Sequence, residues 1–332
     1  MAGRVAESPF VSVSSLMTYP IVGQIHRHSS ALDAVVAPDA RIQQLAEGFV
    51  WAEGPVWVRD GGYLVFSDVP GNVMYRWSET DGVSEFLNPS GYDGPPTDAF
   101  AEPGQNGMAL DAAGGLLVCD HGNRALAKVD LKTRKKTFLL ERYQGKRFNS
   151  PNDLAVSKTG AIYFTDPTYG LKGRNTSPLR ELDFNGVYRL RPDGTLDLLE
   201  ADLTFPNGIA LSPDQSRLYV SVSDPEGPKL MVYDLGPDGL PTSKALFFDA
   251  MPLRDAGGPG LPDGMCLDTD GRLYATGPGG VLVLTPEAEL IGVIETGTAI
   301  ANCAFGEDGS TLFLASNHTL ARVRLKTTGL IW

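Results

Sequence analysis

The chain repeats one short phrase six times, and its plainest copy is Asn207-Gly208-Ile209-Ala210-Leu211. Each copy opens with a side chain that carries an oxygen atom, usually continues with a small or turn-forming residue, and then enters an apolar run. The opening residues lie 39 to 56 positions apart and are Glu53, Asn106, Asn152, Asn207, Asp263 and Asn302. A turn and a β-rich run follow each copy, as in Gly160-Ala161-Ile162-Tyr163-Phe164-Thr165-Asp166.

A repeat of roughly 40–50 residues that contains several short strands is typical of a β-propeller. The sequence therefore predicts an all-β fold: a six-bladed β-propeller with four antiparallel strands in each blade. In the third blade the predicted strands are Leu154–Val156, 162–165, Gly186–Leu190 and Leu196–Glu200. Because blades stack into one body, residues 35–332 are predicted to form a single domain. Residues 1–34 carry no repeat and are interpreted as an N-terminal extension.

The ends of the repeat predict how the ring of blades closes. The last blade ends near Leu325 with three predicted strands and no outermost strand. Residues 41–45 form a short strand-like run just before Glu53, where the other copies are preceded by an outermost strand. We expect this N-terminal run to pair with the last blade, which would remove the open sheet edges.

Composition and charge exclude several classes of function. The chain has 332 residues, of which 28 are basic and 40 acidic, for a net charge of −12. A net negative charge argues against the basic surface that nucleic acids or anionic membranes require, so we expect neither as a partner. No run approaches the roughly 20 apolar residues that span a bilayer. Three cysteines without a disulfide pattern favour a reducing compartment, so we expect a cytoplasmic protein, with the periplasm as the alternative. We also expect a monomer or weak dimer.

The six opening residues predict a metal site. Inner strands of a propeller surround its axis, so equivalent positions at their starts form one ring. All six side chains offer oxygen, two of them as carboxylates, Glu53 and Asp263. Such donors suit one hard divalent cation, with Ca²⁺ as the first choice. The alternative is that Asn-Gly and Asp-Gly are only turn dipeptides, but Glu53 stands in the same frame and has no turn preference.

Three further residues are candidates for substrate binding. His121 follows a predicted strand and is either a proton carrier or a structural residue of the rim. Arg147 and Tyr169 lie on the approaches to the ring and could hold an anionic or hydroxyl-rich substrate, or be solvated loop residues. Tyr169 belongs to one of three long connections, at 88–105, 167–185 and 249–262. Long connections in a compact fold are usually functional covers or disordered excursions.

Several motifs resemble the gluconolactonase/regucalcin (senescence marker protein) family, and bacterial gluconolactonases in particular. The resemblance spans about residues 41–325. Its motifs are Trp51-Ala52-Glu53-Gly54-Pro55-Val56-Trp57, Asn149-Ser150-Pro151-Asn152-Asp153-Leu154, Phe164-Thr165-Asp166-Pro167, Pro206-Asn207-Gly208 and Pro262-Asp263-Gly264-Met265. It implies a six-bladed propeller that binds one divalent metal on its axis.

The resemblance also implies individual roles. Glu53, Asn207 and Asp263 match metal ligands, and Asp263 also transfers a proton. Asn152 matches an asparagine that lies beside or on the metal and touches substrate, and we include it among the expected ligands. The family pattern does not make ligands of Asn106 and Asn302, and extra residues before Asn152 leave the role of Arg147 open.

The expected activity is metal-dependent hydrolysis of a sugar lactone such as D-glucono-1,5-lactone, with Ca²⁺ first and Mg²⁺, Mn²⁺ or Zn²⁺ as alternatives. Rival hypotheses are an organophosphate or aryl-ester hydrolase on the same scaffold, and a calcium-binding propeller without catalysis.

Overall fold

Six sheets arranged as the blades of a propeller make up the structure, a computed structural model that describes residues 19–330. Blade 1 comprises Ala52–Val58, Tyr63–Asp68, Val73–Ser78 and Gly82–Leu87. Blade 2 comprises Gln105–Leu110, Leu116–Asp120, Ala125–Val129 and Lys136–Leu140. Blade 3 comprises Leu154–Val156, Ile162–Asp166, Gly186–Leu190 and Leu196–Glu200. The predicted strands of blade 3 agree with these bounds to within one residue.

The second half of the ring follows the same plan. Blade 4 comprises Pro206–Leu211, Arg217–Val222, Lys229–Asp234 and Ala245–Asp249. Blade 5 comprises Met265–Leu267, Leu273–Gly277, Gly280–Leu284 and Leu290–Glu295. Blade 6 comprises Asn302–Gly306, Thr311–Ser316, Thr319–Arg324 and, from the N-terminal side, Ile42–Glu47. The predicted all-β, six-bladed propeller with antiparallel four-stranded blades is confirmed.

The ring closes as predicted. Ile42–Glu47 pairs antiparallel with Thr319–Arg324, with Ile42 opposite Val323 and Gln44 opposite Ala321. Packing between the first and last blades seals the same junction. Phe313 of blade 6 stacks on Trp57 of blade 1 with ring centroids 5.7 Å apart, and it meets Trp77 edge-on at 5.5 Å. Aromatic packing of this kind adds to the stabilisation from buried area.

Part of the N-terminal extension pairs with the propeller. Gln24–Arg27 adds a fifth strand to blade 5, and Ile21–Val22 adds a fifth strand to blade 6. Leu32, in the 3₁₀ helix Ser30–Ala34, is fully buried with core residues of the last two blades. The repeat does not predict these strands, because they are short and lie outside it. Residues 1–18 of the extension, and 331–332, lie outside the described range. The division between extension and domain at residue 35 stays a prediction.

Elements outside the blades are few and short. A two-stranded hairpin of Arg142–Tyr143 and Lys146–Arg147 precedes blade 3. The 3₁₀ helices Arg59–Gly61 and Arg174–Thr176 and the α-helix Met251–Asp255 lie in connections. Among residues 19–330, none of the helices has the length and apolar character needed to cross a bilayer.

Candidate metal centre

In five of the six blades the inner strand is irregular next to its ring residue; in blade 6 it pairs regularly from Asn302 onward. In blade 1 the pairing shifts between Glu53 and Val56. The same shift follows Asn106 in blade 2 and Asn207 in blade 4. In blades 3 and 5 the regular strand begins two residues after the ring position. A bulge bends a strand and re-aims a side chain. We infer that these irregularities turn the ring side chains away from the sheet and toward the axis.

Close contact between neighbouring blades explains the glycines of the repeated phrase. A Cβ atom on Gly208 would lie 2.1 Å from the backbone oxygen of Asp263, the ring residue of the next blade. A Cβ atom on Gly54 would lie 2.3 Å from the backbone oxygen of Asn106. Gly208 does not adopt a positive φ angle, so a turn is not the reason for glycine there. The glycine is needed because the next ring residue packs directly against it.

Hydroxyl groups on the second strands hold the ring residues in place. Thr165 Oγ1 donates to the backbone oxygen of Asn207 at 2.6 Å. Ser221 Oγ donates to the backbone oxygen of Asp263 at 2.7 Å, and Ser67 Oγ to that of Asn106 at 2.9 Å. Each bond joins one blade to the ring residue of the next. The sequence carried this signal as a Ser or Thr near the end of the second β-rich run, and the sequence analysis did not use it.

A network of side chains holds the Glu53 carboxylate. Asn302 Nδ2 donates to Glu53 Oε1 at 2.7 Å, and Asn302 Oδ1 accepts from the backbone N–H of Cys303 at 2.8 Å. Both Glu53 and Asn302 are buried. With both groups of its amide engaged, Asn302 fixes one oxygen of Glu53 and leaves the other free. Outer hydrogen bonds of this kind orient metal ligands.

Three carboxyl groups lie close together at the site, and their raised pKa values show that ionising all three there is unfavourable. Burial, together with the charge of nearby Asp153, raises the pKa of Glu53 to about 8. Burial raises the pKa of Asp153 to about 7. The pKa of Asp263 is raised well above its ordinary value by burial and then by the Glu53 charge, and a hydrogen bond from Asn207 partly offsets this. A bound dication would relieve this repulsion. Asp153 was not among the predicted site residues.

Unpaired oxygens provide the test of whether a cation fits. Among the described residues, Glu53 Oε2, Asn106 Oδ1 and Asn207 Oδ1 are buried without a hydrogen-bond partner. Buried polar atoms normally have partners, because an unmet one costs roughly 1–3 kcal/mol. These acceptors belong to three ring residues and suit a hard cation that prefers oxygen. The donor set therefore fits the predicted divalent metal.

His121 and Tyr169 lie close to ring residues or to their hydrogen-bond partners, and their role in substrate binding stays a prediction. His121 is fully buried, and its Nε2 lies 3.4 Å from Asn106 Nδ2. The hydroxyl of Tyr169 donates to the backbone oxygen of Ser223 at 3.1 Å. Ser223 Oγ in turn accepts from Asn207 Nδ2 at 2.9 Å. Burial, followed by the charge of Asp263, raises the pKa of Tyr169, so its hydroxyl stays protonated.

Arg147 lies elsewhere. Its guanidinium donates to the backbone oxygen of Asn123 and lies 3.6 Å from Glu141 Oε1, while its backbone N–H donates to Glu181 Oε2 at 2.8 Å. These partners are outside the ring: Asn123 lies in a turn of blade 2, Glu141 lies just before the hairpin, and Glu181 lies in the long connection of blade 3. The structure does not bring Arg147 together with the ring residues among residues 19–330, and its role in substrate binding stays a prediction.

A cavity of about 180 Å³ lies beside the ring and is lined mainly by residues of the inner strands. Its lining is largely apolar, with Met108, Ile209 and Met265 among the lining residues. Asp153 and Asn302 are the members of the polar network that reach it. Hydrolysis of a polar substrate needs convergent polar groups, so the ring rather than this cavity is the candidate reaction site.

Comparison with known proteins gives one consistent result. A family described as the SMP-30/Gluconolactonase/LRE-like region matches residues 51–318. A gluconolactonase of Zymomonas mobilis is 48% identical over 312 residues, which cover 93% of this chain and 88% of that protein. The structure of a gluconolactonase from Xanthomonas campestris superposes with a TM-score of 0.78 at 32% identity, covering 93% of this chain and 99% of that chain.

A more distant structure shares the fold. Regucalcin from Agrobacterium tumefaciens, described as a calcium-binding protein, superposes with a TM-score of 0.67 at 19% identity, covering 86% of this chain and 94% of that chain. The family match over most of the chain and the 48% identity agree with the motifs around the ring residues. The chain therefore belongs to the SMP-30/gluconolactonase/LRE-like family.

Proposed function

We propose that the protein is a divalent-metal-dependent lactonase that hydrolyses a sugar lactone such as D-glucono-1,5-lactone to the aldonic acid. The predicted enzyme class, a hydrolase of lactone ester bonds, agrees with the names of the similar gluconolactonases. The observation that carries the metal dependence is the set of buried ring oxygens without hydrogen-bond partners. A site built of carboxylates and amides is neutralised by a bound cation.

The residues that would hold the ion are Glu53, Asn152, Asn207 and Asp263. All four donate through oxygen, which favours Ca²⁺, with Mg²⁺, Mn²⁺ or Zn²⁺ as alternatives. When bound, the ion supplies Lewis-acid polarisation of the ester carbonyl. Glu53 is held in place for this role by Asn302, and Asn207 by Ser223.

Asp263 is the proposed catalytic base. It is the ring carboxylate that is partly exposed, whereas Glu53 is buried. In the proposed reaction the Asp263 carboxylate takes a proton from the attacking water. It then returns the proton to the ring oxygen of the lactone as the ester bond breaks.

Three side chains are proposed to bind substrate. Asn152 offers its amide to the lactone from its position on the ring. The hydroxyl of Tyr169 lies beside Ser223, which is the hydrogen-bond partner of Asn207, and the imidazole of His121 lies beside Asn106. We propose that both groups meet hydroxyl groups of a sugar ring from these positions. Polar groups around the ring favour a sugar lactone over an aryl ester. We expect the protein to act on this small molecule without a nucleic-acid or membrane partner.

The deciding experiment measures proton release with D-glucono-1,5-lactone before and after chelation, with Ca²⁺, Mg²⁺, Mn²⁺ and Zn²⁺ added back separately. The expected result is turnover well above the spontaneous rate, lost on chelation and restored by at least one ion. Ca²⁺ binding without turnover of this or any other lactone would contradict the proposal. Turnover of phosphotriesters or aryl esters alone would favour the second hydrolase hypothesis, and binding alone would favour the non-enzymatic one.

A further inference from the structure

A carboxylate that the repeat does not predict lies beside the ring. Glu102 is carried by the connection between blades 1 and 2, three residues before Gln105, where the inner strand of blade 2 begins. Its side chain is 27% exposed, and its Oε2 lies 3.0 Å from Nδ1 of the fully buried His121. The other ring nitrogen of His121 faces Asn106 of the ring. Glu102, His121 and Asn106 therefore form a row that leads from the loop to the ring.

The backbone around Glu102 is fixed on both sides. The N–H of Ala101 donates to the backbone oxygen of Gly170 at 2.9 Å, and the N–H of Gly104 donates to that of Val69 at 2.9 Å. Gly170 belongs to the long connection that follows the second strand of blade 3. A bridge between Phe100 and Leu171 joins the same two connections. Backbone hydrogen bonds therefore join the two connections, and Glu102 lies in a segment whose backbone position is fixed.

The charge of Glu102 acts on the proposed site. It contributes to the raised pKa values of Asp263, Glu53 and Tyr169. Because its charge affects the pKa values of two ring residues and of Tyr169, the Glu102 carboxylate lies close to the proposed metal and substrate site. Among the described side chains, Glu102 makes its polar contact with His121, through one carboxylate oxygen. The partial exposure leaves a second oxygen able to accept hydrogen bonds from a ligand.

An ionised carboxylate only accepts hydrogen bonds, and a sugar ring offers several hydroxyl donors. We propose that Glu102 is a substrate-binding residue that accepts hydrogen bonds from hydroxyl groups of the lactone, and that it thereby selects polyhydroxylated lactones over lactones without hydroxyl groups. This inference rests on the proposed function. Hydrogen bonds to charged groups contribute about 1.5–3 kcal/mol, which corresponds to roughly 10- to 150-fold in kcat/KM.

The test compares two lactones that share the ester and differ in hydroxyl groups, D-glucono-1,5-lactone and δ-valerolactone. Glu102→Ala should lower kcat/KM for the gluconolactone by about 10- to 100-fold and leave that for δ-valerolactone nearly unchanged. Glu102→Gln should lose less, because its amide oxygen still accepts. Asp98→Ala is the matched control, since Asp98 lies on the same loop with a 91% exposed side chain. Asp98→Ala should leave kcat/KM unchanged for both lactones.

Equal losses for both lactones would overturn the inference, because an effect on the metal site or on folding does not depend on substrate hydroxyls. Unchanged kinetics for both would overturn it as well. Failure of the proposed function is recognised separately, as wild-type protein that turns over neither lactone.

Binding decides the role of Glu102 in that case. The probe is 1,5-anhydro-D-glucitol, which keeps the ring and all the hydroxyl groups of the lactone but has no carbonyl, and tetrahydropyran is its counterpart without hydroxyl groups. The inference expects calorimetric binding of the polyol alone, weakened in Glu102→Ala. Equal binding by the variant, or no binding by the wild type, would overturn it.

Discussion

At the scale of single residues, Asp263 differs from the rest of the ring because it is a carboxylate with partial access to solvent. Replacing it with Asn keeps its shape and removes the base. We expect Asp263→Asn to lower kcat by about 100- to 10,000-fold, the usual contribution of general acid–base catalysis. Steady-state kinetics at saturating metal would measure the loss, and circular dichroism should show an unchanged fold.

Asp270→Asn is the control for Asp263→Asn. Asp270 lies in a turn of the same blade with a 65% exposed side chain. It should retain wild-type kcat. Full activity in Asp263→Asn would remove Asp263 from the proposed catalytic role.

The raised pKa of Glu53 predicts an unusual pH dependence for the stability of the metal-free protein. This pKa is about 8 in the folded protein and returns toward the ordinary 4.5 on unfolding. Between these values the folded state binds more protons than the unfolded state, so the free energy of unfolding falls as pH rises. Urea denaturation of chelated protein at several pH values from about 5 to 8 should show this decline.

Glu53→Gln isolates the contribution of that one carboxyl, because Gln can still accept from Asn302 and does not titrate. The decline should be shallower in this variant than in the wild type. Identical slopes would contradict the assignment to Glu53. With metal present, stabilisation by the bound ion should increase as pH rises, because cation binding requires deprotonated ligands. This increase should oppose the decline in the free energy of unfolding.

At the scale of elements, the closing strand Ile42–Glu47 carries the junction of the ring. Ile42 is 2% exposed and belongs to the core shared by the last two blades. Ile42→Ala should lower the free energy of unfolding by about 2–5 kcal/mol, because it leaves a cavity in that core. The exposed neighbour Arg41 is the control, and Arg41→Ala should change stability by less than about 0.5 kcal/mol. Equal effects would mean that the strand does not stabilise the closure.

At the scale of the whole molecule, the proposed ligands come from blades 1, 3, 4 and 5. A bound ion would therefore link four blades and stabilise the folded state. At 100 times its Kd, a ligand that binds only the folded state adds about 2.7 kcal/mol. We expect the Tm of chelated protein to rise by a few degrees when Ca²⁺ is restored, measured by differential scanning calorimetry. A much smaller rise is expected in Glu53→Gln, and no rise with any divalent ion would contradict the metal site.

The number of blades, the closing strand and the six ring positions follow from the amino-acid sequence alone. This is possible because the repeat places equivalent residues at equivalent points around one axis. The position of a residue within the repeat therefore predicts its position around the propeller axis. Glu53 and Asp263 could be assigned to the ring in this way without any knowledge of contacts. The strand bounds of blade 3 followed from the same repeat.

Only the tertiary structure decided what lies around the ring, because loops and extensions have no period. Tyr169 and Arg147 were equal candidates in the sequence, yet the fold places Tyr169 beside Ser223 and Arg147 beside Glu141. Asn302 was known to share the frame, but its bond to Glu53 joins residues at opposite ends of the chain. Glu102 reaches His121 because two connections from different blades pair with each other. Such contacts depend on how the chain returns to the same place, which no local pattern records.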